Sequence, residues 1–256
     1  MRVIIVPCLS DNYAYLLVGD GRSDAVVVDP GEAEPVLRAC NAEGLQLAAI
    51  LNTHHHWDHV GGNEILLTRH PSLRVFGHVS DRHRIFGLTD GVEDDDLVET
   101  AGLKLKVLHV PGHTLGAIAY WGNDCAFTGD TLFGAGCGRL FEGTAAQLFH
   151  SLNDRLARLP PSTRLFCGHE YTEKNLDFAA TVEPANPRIR ERLKNVERRR
   201  SRREPTVPST LAEELATNPF LRADSEEIRS NLRPQLPPTA TAEQVFAALR
   251  AARNQF

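Results

Sequence analysis

The first two-thirds of the chain carries short apolar runs bounded by turn residues, a pattern that predicts strands separated by loops and helices. Three of these runs lie near the start, at Val3–Val6, Ala14–Val18 and Ala25–Val28. From Leu103 to Leu108, leucine and valine alternate with lysine before the run ends, as expected of a strand with one buried face.

Two helices are predicted in the same part of the chain, over Glu34–Gly44 and Thr144–Leu159. In the second, the leucines and Phe149 fall on one face and Thr144 is a candidate N-cap residue. The prolines that follow Leu159 end this helix.

After about residue 173 the pattern changes, because strand-like runs give way to charged helical segments punctuated by proline. The run from Arg188 to Arg203 holds nine Lys or Arg and two Glu, which is typical of a solvated helix face. The acidic run Glu93–Asp96 is interpreted as an exposed loop. We therefore predict an α/β domain over residues 1–173 and a smaller helical domain over residues 174–256.

The composition is that of a globular protein, with 256 residues, 42% hydrophobic and 24% charged. A formal net charge of −5 argues against nucleic acid as a partner, since phosphate binding favours a basic surface. No apolar stretch is long enough to span a membrane. The five cysteines are odd in number and form no CxxC pair, which favours free thiols in the cytoplasm. We expect a monomer that acts on a small molecule.

The segment from Thr53 to His59 concentrates potential metal ligands directly after an apolar run. His54 and His56 can point the same way if the chain stays extended, while Asp58 and His59 can face a second point. One metal ion does not comfortably accept all four side chains, whereas two ions do.

Three more candidate ligands follow apolar runs and a glycine: His113, Asp130 and His169. Each is therefore expected on a loop at the end of a strand. The natural partition places His54, His56 and His113 on one ion, and Asp58, His59 and His169 on the other. Asp130 then bridges the ions, with one carboxylate oxygen for each. Asp29 is either a hydrogen-bonding partner of a ligand histidine or part of a helix-starting turn, and the other six histidines are interpreted as structural or surface residues.

This set of seven resembles the metallo-β-lactamase fold, an αββα sandwich of the α/β class with metals at one edge. Within that superfamily the chain is similar to the glyoxalase II (hydroxyacylglutathione hydrolase) family. The similar segments extend along nearly the whole chain: 11–13, 28–31, 129–133, 136–139, 141–144, 168–172, 204–210, 218–220 and 250–256.

The resemblance implies hydrolysis of S-D-lactoylglutathione and similar 2-hydroxyacylglutathiones to D-lactate and glutathione, the second step of methylglyoxal detoxification. It implies that a metal-bridging hydroxide attacks the thioester, with Asp58 and Asp130 as catalytic side chains. A thiolate with a parent pKa of about 8.5 leaves without a strong general acid. The expected cofactors are two divalent ions, with zinc preferred over iron or manganese. The residues expected to contact the substrate are Arg139, Phe141, Tyr171, Arg250 and Arg253.

Two residues depart from the family pattern. Phe141 stands where some relatives have tyrosine, and Arg253 stands where lysine is usual, so affinity and thiol specificity are open. The alternative activities are those of other enzymes of the same fold: a β-lactamase, a lactonase or a persulfide dioxygenase. A non-catalytic scaffold is a further alternative, although it would be expected to have lost ligands.

Overall fold

The computed structural model describes residues 1–256 and divides into two compact units. The first unit comprises Met1–His109 and Gly116–Gly129, and the second comprises Val110–Leu115 and Asp130–Phe256. No helix is both long and apolar enough to cross a membrane.

The first unit holds ten strands and three α-helices. Its strands are β1 (Arg2–Cys8), β2 (Asn12–Val18), β3 (Asp24–Val28), β4 (Gln46–Leu51), β5 (Arg74–His78), β6 (Asp90–Val92), β7 (Leu97–Thr100), β8 (Leu103–His109), β9 (Ile118–Gly122) and β10 (Cys125–Gly129). Its helices are α1 (Ala33–Glu43), α2 (Trp57–Val60) and α3 (Asn63–Arg69).

Strands β1 to β6 form one sheet in sequence order. The first two pairings are antiparallel and the next three are parallel. Helix α1 makes the crossover between the parallel strands β3 and β4 and ends at Gly44, whose φ of 65° suits glycine. The strands predicted at the start of the chain and the helix predicted at Glu34–Gly44 are thus confirmed.

A second set of strands, β7 to β10, forms an antiparallel meander. Strand β2 shows why this unit needs two sheets, because all seven of its residues are buried. Ala14, Leu16 and Val18 pack in the core that contains the apolar face of α1. The ring of Tyr15 lies 5.7 Å from that of Phe127 on β10. The first sheet is therefore covered by helices on one face and by strands on the other.

The second unit is mainly helical. Its strands are β11 (Leu132–Phe133), β12 (Gly136–Cys137), β13 (Arg164–Cys167) and β14 (Ser209–Thr210). Its helices are α4 (Ala145–His150), α5 (Thr172–Val182), α6 (Pro187–Ser201), α7 (Leu211–Thr217), α8 (Glu226–Asn231) and α9 (Ala242–Gln255). Leu176 and Ala179 of α5 pack with Ile189 and Val196 of α6 in a small apolar core.

The helix predicted over Thr144–Leu159 is only partly correct. Thr144 caps α4 as expected, and its side chain accepts a hydrogen bond from the Gln147 N–H. After His150 the chain continues as a π-helical turn, Ser151–Arg155, and then as a 3₁₀ turn, Leu156–Arg158. Apolar periodicity predicts the buried face but not this change in winding.

The five cysteines are free, as the sequence suggested, and all five are buried. Burial raises the pKa of the Cys40 thiol to about 11 and that of the Cys167 thiol to about 12. These sulfur atoms are therefore held in the protonated form.

Candidate metal centre

In the first unit, the predicted ligand segment begins as the chain leaves β4 at Leu51. His56 is still extended and precedes α2, the single helical turn that carries Asp58 and His59. The extended chain followed by a tight turn matches the local conformation expected from the sequence. The ligand candidates of this unit therefore come from a strand end and from the first turn of a helix.

His54 and His56 present ring nitrogens to each other, since His54 Nε2 lies 3.1 Å from His56 Nδ1. Two nitrogens bound to one tetrahedral cation at about 2.0–2.1 Å would be separated by about 3.3 Å. The observed separation is close to that value. This pair is therefore suited to sharing a single ion.

Asp29 orients the ligand segment from β3. Its carboxylate accepts hydrogen bonds from the Thr53 N–H at 2.7 Å and from the Thr53 hydroxyl at 2.6 Å. Because the Thr53 hydroxyl donates its hydrogen to Asp29, it can only accept from His54 Nδ1, which lies 3.1 Å away. Nδ1 therefore carries the proton of the His54 ring, and Nε2 is left free of a proton to bind a metal.

The same carboxylate also holds His59, whose Nδ1 lies 3.0 Å from Asp29 Oδ2. The other ring nitrogen, Nε2, lies 3.7 Å from Asp58 Oδ2. Asn12 donates a hydrogen bond to the same Asp58 oxygen at 3.0 Å and so fixes the Asp58 carboxylate. A carboxylate–histidine pair of this kind is the usual support of a metal ligand. Of the two interpretations of Asp29, the structure therefore favours the hydrogen-bonding partner.

In the second unit, one oxygen of Asp130 lies close to two histidines. Asp130 Oδ2 is 3.5 Å from His113 Nε2 and 3.3 Å from His169 Nε2. Asp130 follows β10, and His169 follows β13. Three ligands predicted from separate parts of the sequence, two histidines and one aspartate, thus lie close together.

Backbone and aromatic contacts fix these histidines. His113 Nδ1 lies 2.8 Å from the Arg139 carbonyl oxygen, so Nδ1 carries the proton and Nε2 faces Asp130. The His169 ring stacks on Tyr171 with centroids 4.7 Å apart. A side chain at Gly138 would place its Cβ 2.0 Å from the Asp130 carbonyl oxygen, so only glycine permits this packing.

The donor set has the chemistry that divalent ions of the zinc, iron and manganese type require. It offers imidazole nitrogen and carboxylate oxygen and no thiolate. Within the first unit, potential ligand atoms of Asp29, His54 and His59 lie within 4.8 Å of one another, so His54 and His59 lie close together beside their supporting carboxylate. The histidine and aspartate groups of the chain can therefore hold metal ions, as predicted.

The residues expected to contact the substrate all lie in the second unit. Phe141 is 63% exposed and its ring meets that of His113 edge-on, with centroids 5.3 Å apart. Burial, and the charges of Arg250 and Arg139, lower the pKa of Arg253, which indicates three neighbouring cations. Arg250 is only 4% exposed and donates to the carbonyl oxygens of Cys137 and Gly138.

Sequence reasoning missed two supporting residues of the first unit. Asn12 lies in a segment noted only for its resemblance, yet it holds Asp58. Asp81 is buried and lies 3.3 Å from His55 Nδ1, so His55 is a partnered residue beside the ligands. No local pattern signals either contact, because the partners lie 46 and 26 residues apart.

Comparisons with known proteins cover the entire chain. A family model described as metallo-beta-lactamase superfamily matches residues 10–169, and one described as hydroxyacylglutathione hydrolase C-terminus matches residues 170–256. A curated protein named hydroxyacylglutathione hydrolase from Synechococcus sp. (strain JA-2-3B'a(2-13)) is 50% identical over 258 residues, 100% of both chains.

A plant protein and a solved structure are also similar to this chain. The Arabidopsis thaliana protein named hydroxyacylglutathione hydrolase cytoplasmic is 46% identical over 239 residues, 91% of this chain and 92% of its own. A crystal structure of a protein in a di-iron-bound form is 28% identical and aligns with a TM-score of 0.61 over 86% of this chain and 100% of its own. The fold class predicted from the sequence is confirmed, including the helical C-terminal part.

Proposed function

Because the chain belongs to the hydroxyacylglutathione hydrolase family of the metallo-β-lactamase superfamily, we propose that it hydrolyses S-D-lactoylglutathione and similar 2-hydroxyacylglutathiones. The products are D-lactate and glutathione. The observation that carries this proposal is similarity over the full length, which includes both the ligand segments and the helical C-terminal part.

Two metal ions are part of the proposal. We propose that His54, His56 and His113 hold one ion and that Asp58, His59 and His169 hold the other, as expected from the sequence. Asp130 would be a ligand shared by the two ions, as the sequence suggested. The approach of His113 and His169 to its carboxylate supports a shared ligand at this position.

Two divalent cations bound there supply Lewis acidity, which lowers the pKa of water and polarises the thioester carbonyl. Asp58, held by Asn12, orients the attacking water and receives its proton. The carboxylate of Asp29 keeps His54 and His59 in the tautomers that present Nε2. The departing thiolate needs no strong acid, because its parent pKa is about 8.5.

The substrate's glutathione carboxylates require cations and hydrogen-bond donors nearby. Arg139, Arg250 and Arg253 provide neighbouring positive charges, as the lowered pKa of Arg253 indicates. The Tyr171 ring is anchored by stacking on His169, and Phe141 offers an exposed apolar surface beside His113. We assign these five residues to the substrate site.

Zinc is the proposed metal because five imidazoles and two carboxylates suit it, and all five thiols are buried. The proposed location is the cytoplasm, which agrees with the free thiols and with the name of the Arabidopsis relative. The proposed form is a monomer whose partner is the small-molecule thioester, with neither nucleic acid nor membrane as a partner.

The test combines turnover with elemental analysis on the same purified protein. We expect rapid hydrolysis of S-D-lactoylglutathione and two equivalents of metal per chain. A β-lactam, a lactone and glutathione persulfide serve as comparison substrates for the other activities found on this fold. A fully metallated protein that leaves the thioester intact would refute the proposal.

A further inference from the structure

The hairpin formed by β11 and β12, residues 132–137, links two parts of the proposed metal centre. It begins two residues after Asp130 and ends two residues before Arg139, whose carbonyl oxygen accepts the His113 Nδ1–H. Its ladder consists of only two residue pairs, Leu132 with Cys137 and Phe133 with Gly136. So short a ladder does not hold its own shape in water.

Four buried polar side chains of the helical region supply the missing hydrogen bonds. We call these four the polar clamp: Asn175, Glu214, Asn218 and Arg250. Asn175 donates to the Gly134 carbonyl oxygen at 3.0 Å, and Glu214 accepts from the Ala135 N–H at 2.7 Å. None of the four is more than 5% exposed.

Of the other two members, Asn218 bonds both strands of the hairpin, and Arg250 bonds the end of the second strand and the residue after it. Asn218 donates to the carbonyl oxygens of Phe133 at 3.3 Å and Gly136 at 3.0 Å. Arg250 donates to the carbonyl oxygens of Cys137 at 2.8 Å and Gly138 at 3.3 Å. Every residue from Phe133 to Gly138 therefore has a backbone group bonded to the polar clamp.

The hairpin tip also needs this support for its backbone conformation. Ala135 has a φ of 53°, in the left-handed region that a residue with a Cβ adopts only at an energetic cost. Its N–H is the group that bonds Glu214, and Glu214 is in turn paired with the buried Arg192. The strained tip is therefore held from outside the hairpin.

We propose that the polar clamp positions two metal ligands, Asp130 and His113, by fixing the hairpin between Asp130 and Arg139. Asn218 is its central member because it bonds both strands, and it is a positioning residue. The helical C-terminal part thus acts on the metal centre as well as on the substrate. This inference rests on the proposed two-metal site.

The test is the substitution Asn218→Ala, with Asn186→Ala as a matched control. Both are buried asparagines that precede a proline, and the side chain of each accepts a hydrogen bond from the backbone N–H two residues later. Asn186 also donates to the Ala216 carbonyl oxygen but makes no bond to the hairpin. The two substitutions therefore remove similar hydrogen bonds at different places.

We expect similar losses in the melting temperature of the metal-free protein. Only Asn218→Ala should weaken zinc binding, by about tenfold or more in competition with a chromophoric chelator, which is the usual effect of removing a support of a ligand. Long-range ¹⁵N–¹H spectra of the metal-free protein should show His113 protonated at Nδ1 in the wild type and in Asn186→Ala, and a mixture of tautomers in Asn218→Ala.

Unchanged zinc affinity in Asn218→Ala, or an equal loss in both variants, would overturn the inference. If Asn218→Ala does not fold, Asn175→Ala is the second variant, because it removes one hydrogen bond to the hairpin tip. We expect it to weaken zinc binding too, and an unchanged zinc affinity in this variant would overturn the inference. A wild-type protein that binds fewer than two ions would instead contradict the proposed function, so the two failures are distinguishable.

Discussion

Replacing Asp29 with asparagine should weaken metal binding without removing any predicted ligand of the two ions. The carboxylate accepts three hydrogen bonds, from the Thr53 N–H, the Thr53 hydroxyl and His59 Nδ1. If the asparagine oxygen keeps the Thr53 N–H, its NH₂ group faces His59 Nδ1. Two donors then oppose each other, and His59 relaxes by moving its proton to Nε2, the nitrogen that should bind metal.

The expected magnitude follows from the loss of one supporting carboxylate. Such losses lower metal affinity about 10- to 100-fold, which corresponds to about 1.4–2.7 kcal/mol. The ion bound by His59 should be lost first, because His54 is connected to Asp29 only through Thr53. Chelator competition and metal content after dialysis measure both effects.

Asp81→Asn is the matched control within the same unit. Asp81 is also a buried aspartate beside a histidine, with Oδ2 3.3 Å from His55 Nδ1, but His55 is not a predicted ligand. We expect comparable destabilisation in the two variants and weakened metal binding only in Asp29→Asn. Equal metal affinities for Asp29→Asn and the wild type would refute the reasoning.

Three further predictions concern other parts of the molecule. Asp130→Ala should abolish turnover and lower the metal content, and near-normal activity with two ions retained would contradict the bridge. Arg253→Ala should raise KM roughly tenfold for a glutathione thioester and far less for a short acyl thioester, since a charge-assisted bond to a carboxylate contributes about 1.5–3 kcal/mol. Equal increases in KM for the two substrates would contradict the substrate role of Arg253. Burial tends to raise the pKa of Glu183, but hydrogen bonds led by Arg222 bring it below its ordinary value. The pair of Glu183 with Arg222 therefore stabilises the folded state at pH 7, and this stabilisation is lost as the pH falls below about 4.5. Urea unfolding at pH 7 and pH 3.5 should show a smaller acid-induced loss in the free energy of unfolding for Arg222→Leu than for the wild type.

The positions of the ligand candidates could be predicted because they depend on local signals. An apolar run followed by glycine marks the end of a strand, and His113, Asp130 and His169 each follow such a signal. In the structure they come after β8, β10 and β13. The signal works because a strand end and the glycine turn after it are encoded within a few adjacent residues.

The supporting hydrogen bonds could not be predicted in the same way. Asp29 and Thr53 are 24 residues apart, and Arg250 lies 113 residues from Cys137. Hydrophobic periodicity reports which face of an element is buried, but it does not report which buried polar groups meet. Arg192 illustrates the limit, because it lies in a run interpreted as a solvated face and is nevertheless buried against Glu214.

The burial of all five cysteines has a consequence for an enzyme that works among glutathione molecules. Mixed disulfides form when an accessible thiolate attacks glutathione disulfide, but all five sulfur atoms are buried, and burial raises the pKa of the Cys8, Cys40, Cys137 and Cys167 thiols. Oxidation of the surrounding glutathione pool should therefore leave the five thiols of this chain unmodified.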